Sequence, residues 1–500
     1  MKTALRQSLI ALAAALISFP LAAQPTTERD WSETLRTDAQ ALHDLLAEHH
    51  PGQVDVENPG FAQNNAAQLA LALERAENAD SYGDYYYALR VYAASFNDGH
   101  MFFGARGSTP NRYRWPGFAV ELDNEGDFRV ASTTGEAFVP LGAKLISCDG
   151  KSANVYAAET VGVMWGRWAL ESQRRQQAKN LFFDENSDYI PIADRCVFEH
   201  AGRRWDFALN WQPIEWRERW DIVNRSPSPR PTFSARIAAE GLCWFSMPSF
   251  DGRPDSPPAI NLAKIIEDMN SQREAMSDSS AVVLDLRSNS GGSSDWSYQI
   301  ARVLWGDAAI AALPDKDHYA EWRVSQDNLD HLRTAFDAWR AGGNMSAEVE
   351  RYFETAIEGI GTALLDGEQL WREPNYSHTN KDLLDIESSP PPIRVPVYVI
   401  TDGRCASACL DAMDLWLELG AIHLGLPTSA DTNYLEIRRY RLPSGLVGGS
   451  IPLKVHRNRA RGSNEALLPV ERFDGDISDD DALEMWVSQI VNDHAAATSE

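Results

Sequence analysis

Apolar residues in the first hundred positions recur at helical spacing. From Trp31 they fall at Leu35, Ala39, Leu42 and Leu46, which places them on one face of a helix. Ala66 to Ala79 is rich in Ala, Leu and Glu, and Ser81 to Phe96 continues the period with Tyr85, Leu89, Tyr92 and Phe96. These runs predict a helical N-terminal domain over 24–111, whose helices stop at the turn sequence Asn97-Asp98-Gly99-His100. From 112 to 212 the pattern shortens to strand-like runs between turns. Phe118-Ala119-Val120-Glu121-Leu122 precedes Asp123-Asn124-Glu125-Gly126, Phe128-Arg129-Val130 follows, and Lys144 to Cys148 runs into Asp149-Gly150, a tight-turn signal. Pro227, Pro229 and Pro231, interleaved with serines, mark a linker within 213–234, because proline propagates neither a helix nor a central strand. Beyond it, 235–500 reads as an α/β core. Leu242 to Met247, Ala281 to Leu286 and Pro396 to Thr401 are buried-type strands, and Ala259 to Met269 is a helix. The stretch 306–392 is acidic, helix-prone and tipped by Pro390-Pro391-Pro392, and is expected to be a helical insertion.

Composition narrows the function. Five hundred residues suggest two to four domains, and 44% hydrophobic with 24% charged residues are globular values. A net charge of −26 excludes nucleic acid as a main partner and disfavours anionic membranes. Residues 1–23 have the form of a secretory signal: Lys2 and Arg6, an apolar run from Leu9 to Phe19, then Leu21-Ala22-Ala23. The run is shorter than the ~20 residues of a membrane span. No later segment is long and apolar enough to cross a bilayer, so no stable membrane insertion is expected after signal removal. Its loss deepens the charge to −28 and predicts a secreted or periplasmic protein in which disulfides are permitted. Five cysteines are too few for a disulfide scaffold. No HExxH, P-loop, GxGxxG or Cys/His metal spacing occurs, so no metal or cofactor is expected.

Two strand-to-turn junctions could carry chemistry. The first is Asp285-Leu286-Arg287-Ser288-Asn289-Ser290-Gly291-Gly292, where paired glycines let backbone N–H groups approach a ligand and form an oxyanion hole, or simply close a βα turn. The second is Thr401-Asp402-Gly403-Arg404-Cys405-Ala406-Ser407-Ala408-Cys409. A serine opening a helix is a nucleophile if a base reaches it, and otherwise an N-cap.

These two junctions, in this order after a strand-Asp-Gly-helix region, resemble the C-terminal-processing (tail-specific) serine peptidase family. The resemblance covers roughly 80–490 without the insertion. It implies an α/β multidomain fold: a helical N-terminal domain, a PDZ-like β domain over 112–212, and a catalytic core of the crotonase-like ββα type. It makes Ser407 the nucleophile, with oxyanion donors from Ala408 and from the Gly291-Gly292 pair. Many members use a lysine about 25 residues after the serine. Here that position is Thr432, and no lysine lies between Ser407 and Lys454. The departure points to the tricorn-like, histidine-using branch, in which Asp98-Gly99-His100 resembles the histidine segment and Glu465 stands where the acidic partner falls. That branch carries a serine before its histidine, where this chain has Gly99. His378, His423 and His456 are substitutes for His100, with His456 read as a solvated surface residue; Glu471, Asp474 and Asp476 are substitutes for Glu465.

Cys148 and Cys196 both fall beside strand-like runs of the PDZ-like region and are expected to be bridged, leaving Cys243 free. Cys405 and Cys409 straddle Ser407 at a spacing that suits a disulfide poorly if both sit in one helix. Among Trp205, Trp211, Trp216 and Trp220, packing is expected ahead of a sugar- or peptide-binding platform. The function expected is an exported serine endopeptidase acting on extended or unfolded polypeptides through a Ser-His-Glu triad. The alternatives are a peptide- or lipid-binding protein on the same fold, or an exported esterase, for which no GxSxG elbow is present.

Overall fold

The computed structural model describes residues 29–497 apart from 108–111, 135–138, 225–230, 238–240, 254, 315–316, 343–346, 375–385 and 388–390. The expected leader, the linker residues Pro227 and Pro229, and His378 lie outside the described residues.

Leu242–Ser246, Ala281–Asp285 and Val397–Thr401 are strands buried at every position. Their unbroken apolar runs suit parallel strands covered on both faces. They lie side by side and parallel in a six-stranded sheet. Ser234–Ile237 is antiparallel at one edge, and Ile422–Gly425 and Glu471–Arg472 follow in parallel at the other. One face packs on helices Pro257–Ser271, Asp295–Ala312 and Ala408–Glu418 through Leu262, Ile265, Ile300, Leu410 and Trp416. The other packs on helix Asp480–Ala497 through Leu483, Val487 and Val491. Asp285 is opposite Ile400, so the two junctions emerge side by side at the carboxyl ends of neighbouring strands, where open α/β sheets place their sites.

The β-rich region forms an antiparallel sheet in the order Phe118–Leu122, Phe128–Thr133, Lys144–Cys148, Arg195–His200, Arg203–Ala208. Asp149 and Gly150 turn the hairpin from Cys148 to Lys151 with φ of 46° and 79°, the left-handed pair that an Asp-Gly sequence supplies. Cys148 and Cys196 are cross-strand partners and are joined by a disulfide, with Cα atoms 4.1 Å apart. The packing expected of the tryptophans holds for Trp211, whose Nε1 donates to the Ala193 carbonyl at 2.9 Å. It does not hold for Trp216 and Trp220, which stack at 5.5 Å and stay half exposed on helix Trp216–Asn224.

Leu35, Ala39, Leu42 and Leu46 are fully buried, as their period predicts. Helix Trp31–His49 starts on the Asp30 carboxylate, which accepts the Glu33 N–H, and Tyr82–Ala94 starts on the Ser81 hydroxyl, which accepts the Asp84 N–H. The apolar face of these helices meets Tyr434, Val447, Ile451 and Val455 from the far end of the chain. Phe103–Ala105 then pairs antiparallel with the long strand Val447–Arg457, so the N-terminal helices share a core with C-terminal residues.

The 306–392 insertion is not purely helical. Helices Gln326–Ala341 and Ala347–Leu365 are flanked by strands Tyr319–Arg323 and Leu370–Arg372, and the first of these pairs with Val447–Arg457. Tyr319–Arg323 adds to the edge of that long strand, and Leu370–Arg372 in turn pairs with Tyr319–Arg323. Buried Trp322 seals the contact and donates to Glu373 at 3.0 Å.

Candidate active site

At the first junction Asp285 and Arg287 form a buried ion pair. Arg287 Nε donates to Oδ1 at 2.9 Å and Nη2 to Oδ2 at 2.7 Å, while Ser246 Oγ donates to the same Oδ2 at 3.1 Å. This pair ties off the strand end and is structural. Asn289, fully buried, donates to the Met247 carbonyl and accepts the Gly291 N–H at 2.9 Å. Gly291 and Gly292 have φ of 94° and 143°. A Cβ on Gly291 would lie 2.7 Å from Ser407 Cβ and 2.9 Å from the Ala408 nitrogen; one on Gly292 would lie 2.0 Å from the Phe250 carbonyl oxygen. Only glycine lets this turn pass so close to the second junction.

Asp402 locks the junctions together. Its Oδ2 accepts the Ser288 N–H at 3.0 Å and its Oδ1 the Arg404 N–H at 2.9 Å, and burial pushes its carboxyl above the usual range. Ser407 occupies the N-cap position of helix Ala408–Glu418 but does not cap it. Its φ is 55° and ψ −128°, and its side chain makes no capping hydrogen bond. A side-chain-bearing residue in this region is strained by about 1–3 kcal/mol, a state that clusters at functional sites. The Ser407 N–H is held by Asp431 Oδ2 at 2.8 Å.

Oxyanion donors follow from which N–H groups are free. Among the described residues, neither Ala408 nor Gly292 spends its N–H on a hydrogen bond, whereas that of Gly291 is taken by Asn289. Of the Gly291-Gly292 pair expected to supply one donor beside Ala408, Gly292 has the available N–H, and Gly291 supplies the close approach.

The histidine segment is held by Asp98, whose side chain is 2% exposed. Asp98 Oδ1 accepts the His100 backbone N–H at 2.7 Å and lies 3.8 Å from the ring Nδ1; Oδ2 accepts the Thr432 hydroxyl at 2.8 Å. Burial raises the Asp98 carboxyl, with His100 acting against that rise. Thr432, at the position where a lysine is common in the resembled family, thus tethers the histidine loop. His100 Nδ1 is buried without a hydrogen-bond partner. Gly99 leaves room for the Arg167 guanidinium, which a Cβ would approach to 2.8 Å, so a serine there would require the guanidinium to shift. Arg167 Nη1 in turn donates to the Ala430 carbonyl at 2.9 Å.

The Glu465 loop reaches the same place. The Asn464 N–H donates to the Asp431 carbonyl and its Nδ2 to the Asn97 carbonyl, both at 2.8 Å. Hydrogen bonds thus connect the segments of Ser407, His100 and Glu465. The Glu465 carboxylate itself is exposed and accepts the Gly462 N–H at 2.7 Å; among the described residues it makes no hydrogen bond to His100. Asp431 and Arg167 carry no signal in the sequence; Asp98 is marked there only as part of the turn that holds His100.

The substitutes fit less well. His423 is buried, hydrogen-bonded through Nε2 to Thr401 Oγ1 at 2.7 Å, and held down to about 4 by burial. His456 is not a surface residue: it is 5% exposed in strand Val447–Arg457, 3.0 Å from His318 Nε2. Glu471, Asp474 and Asp476 are exposed. Lys454, which follows Ser407 in the chain, pairs with Glu373 at 2.9 Å and with the Tyr352 hydroxyl at 2.8 Å, and so is committed elsewhere. Cys405 and Cys409 are bridged, with Cα atoms 5.3 Å apart. The sequence objection assumed one helix, but the helix begins at Ala408, leaving Cys405 in the preceding loop. Cys243 is free and buried.

Residues 243–410 match peptidase family S41, a span that holds both junctions and omits His100 and Glu465. No curated protein matches the sequence. Among solved structures, mature CPAF shares the fold with a TM-score of 0.60 at 14% identity, covering 93% of this chain and 98% of its own. Mature CPAF complexed with lactacystin aligns with a TM-score of 0.58 at 14% identity, covering 93% and 99%.

Proposed function

From the premise that the chain carries a peptidase family S41 domain and is a serine-type peptidase, we propose that it is an exported endopeptidase cleaving extended polypeptides, with Ser407 as nucleophile and His100 as base. The observation that carries this reading is Ser407 itself, a helix-opening serine that caps nothing, held at positive φ against Gly291. His100 takes the hydroxyl proton as Oγ attacks the scissile carbonyl. The Ala408 and Gly292 N–H groups and the start of helix Ala408–Glu418 stabilise the oxyanion. His100 returns the proton to the leaving amine, and water, activated by the same imidazole, releases the acyl group.

Glu465 is the orienting acid by resemblance to the tricorn-like branch; its carboxylate accepts the Gly462 N–H. A second assignment rests on one observation: Asp98 is the carboxylate at His100 Nδ1, 3.8 Å away. The antiparallel unit over 112–212 serves as a PDZ-like module presenting an extended chain end to a core of the crotonase-like type. The leader-like residues 1–23 and two disulfides support a secreted or periplasmic setting. Among the described residues, no helix is long and apolar enough to cross a membrane.

Labelling with a fluorophosphonate tests the nucleophile. Wild type is expected to be labelled at Ser407 and Ser407→Ala to be unlabelled and inactive on an unfolded protein substrate. Equal labelling of both removes Ser407 from the reaction. Lactacystin, bound in one of the similar structures, is a second probe for the same serine.

A further inference from the structure

The nucleophile's turn lies inside a covalent ring. Cys405 and Cys409 are joined, and only Ala406, Ser407 and Ala408 separate them. Both cysteines are fully buried in the core beneath the parallel sheet. Each is anchored on a different element. The Cys405 N–H donates to the Asp402 carbonyl at 3.1 Å and its carbonyl accepts the Ser429 N–H at 3.0 Å, which fixes it to the strand-end loops. Cys409 sits in the first turn of helix Ala408–Glu418, with its N–H on the Ala406 carbonyl at 3.2 Å.

Ser407 is bent between them at φ 55° and ψ −128°, a conformation its side chain disfavours. Besides the packing of Gly291 against this turn, its hydrogen-bond restraints are the Asp431 carboxylate on its N–H and the first-turn bonds from Leu410 and Asp411 to its carbonyl. Without the bridge, the turn can relax toward an ordinary N-cap, with φ negative and Oγ directed at the helix N–H groups. That relaxation withdraws the hydroxyl from attack and carries the neighbouring Ala408 N–H out of line.

We propose that the Cys405–Cys409 disulfide is a positioning device for Ser407 and makes acylation depend on oxidation of this pair. The step is a two-electron exchange with a dithiol reductant. A reductant thiolate attacks one sulfur and expels the other as a thiolate. The reductant's second thiol then closes its own disulfide, leaving Cys405 and Cys409 as thiols after uptake of protons. The proposal rests on the reading of Ser407 as nucleophile.

The test uses the full chain, with and without dithiothreitol, followed by iodoacetamide and peptide mapping to score each cysteine pair. The readouts are the rate of fluorophosphonate labelling at Ser407, kcat and KM. Reduction of Cys405–Cys409 is expected to slow labelling by about tenfold or more, the scale of a small misplacement of a reacting group. kcat should fall with KM little changed, and reoxidation should restore the rate. A Cys148→Ala/Cys196→Ala variant should keep this response. Cys405→Ala/Cys409→Ala should start slow and ignore the reductant. Undiminished labelling of a chain alkylated at both Cys405 and Cys409 overturns the proposal. So does a folded Cys405→Ala/Cys409→Ala variant as fast as wild type; if that variant does not fold, the alkylation arm on wild type decides alone. No label on Ser407 in the oxidised wild type is a different result and removes the nucleophile reading instead.

Discussion

A methyl group on Gly291 would meet the Ala406 carbonyl oxygen at 2.6 Å and Ser407 Cβ at 2.7 Å, at a backbone φ of 94°. Gly291→Ala is therefore expected to push the nucleophile turn out of place and lower kcat by about 10²-fold, with far-UV circular dichroism unchanged. Retained turnover would mean that this contact does not hold the geometry. The two candidate orienting acids call for a pair of variants. Asp98→Asn is expected to lower kcat by about 10²-fold or more, since it removes the carboxylate that holds the imidazole's loop. Glu465→Gln should cost still more if Glu465 completes the relay. If Asp98 does, it should cost less than about fivefold, the scale of an exposed charge contact. At this scale the sequence marks Ser407 as a helix-opening serine and His100 as part of a turn, while their proposed roles as nucleophile and base come from the family resemblance. The difference between the two glycines is not legible there. Gly291 and Gly292 look alike in sequence, and only Asn289, accepting the Gly291 N–H, distinguishes the glycine with a committed N–H from the one with an available N–H.

Elements differ in how plainly they announce themselves. Ala281–Asp285 and Val397–Thr401 are apolar at nearly every position because both faces are covered. Tyr319–Arg323 does not read as a strand because it takes its place between Leu370–Arg372 and Val447–Arg457, the latter a partner far along the chain. The sheet carrying the site also contains an acid-sensitive group. Burial holds His423 down to about 4 from 6.5. As pH falls below 6.5 the unfolded chain takes up a proton there while the folded chain does not. The His423 contribution to stability is present above that range and is lost toward pH 4, by roughly 3 kcal/mol. Buried His49 and His50 are shifted in the same direction. The urea midpoint should drop between pH 7 and pH 4.5, and His423→Gln should flatten the drop; an unchanged slope would exclude His423 as a source. In the antiparallel unit, the Cys148–Cys196 bridge closes a separation of 48 residues. Its removal by Cys148→Ala/Cys196→Ala is expected to cost about 2–4 kcal/mol in urea unfolding.

At the level of the whole molecule, the helical period of 24–111 ends before the strands begin, but the core it belongs to does not end there. Leu35, Leu42 and Tyr85 share their burial with Tyr434, Val447 and Ile451. A chain starting at residue 101 would expose that face, and it is expected to be insoluble or unfolded, as judged by gel filtration and circular dichroism, instead of behaving as a free catalytic core. Sequence periodicity detects a helix's apolar face but is blind to what covers it, and here the cover lies more than three hundred residues away. The acidity read at the outset, −26, stays compatible with a polypeptide substrate and adds nothing to the fold.

The pairing of Phe103–Ala105 with Val447–Arg457, and the Asn464 bond to the Asn97 carbonyl, place the histidine loop under the control of the chain's last segments. Residues 447–464 are made last, so these contacts to the His100 loop form only when the chain is nearly complete. On the proposed reading, a half-synthesised copy would have its serine without an organised histidine loop, and a cut near the C-terminus would loosen that loop in the finished protein.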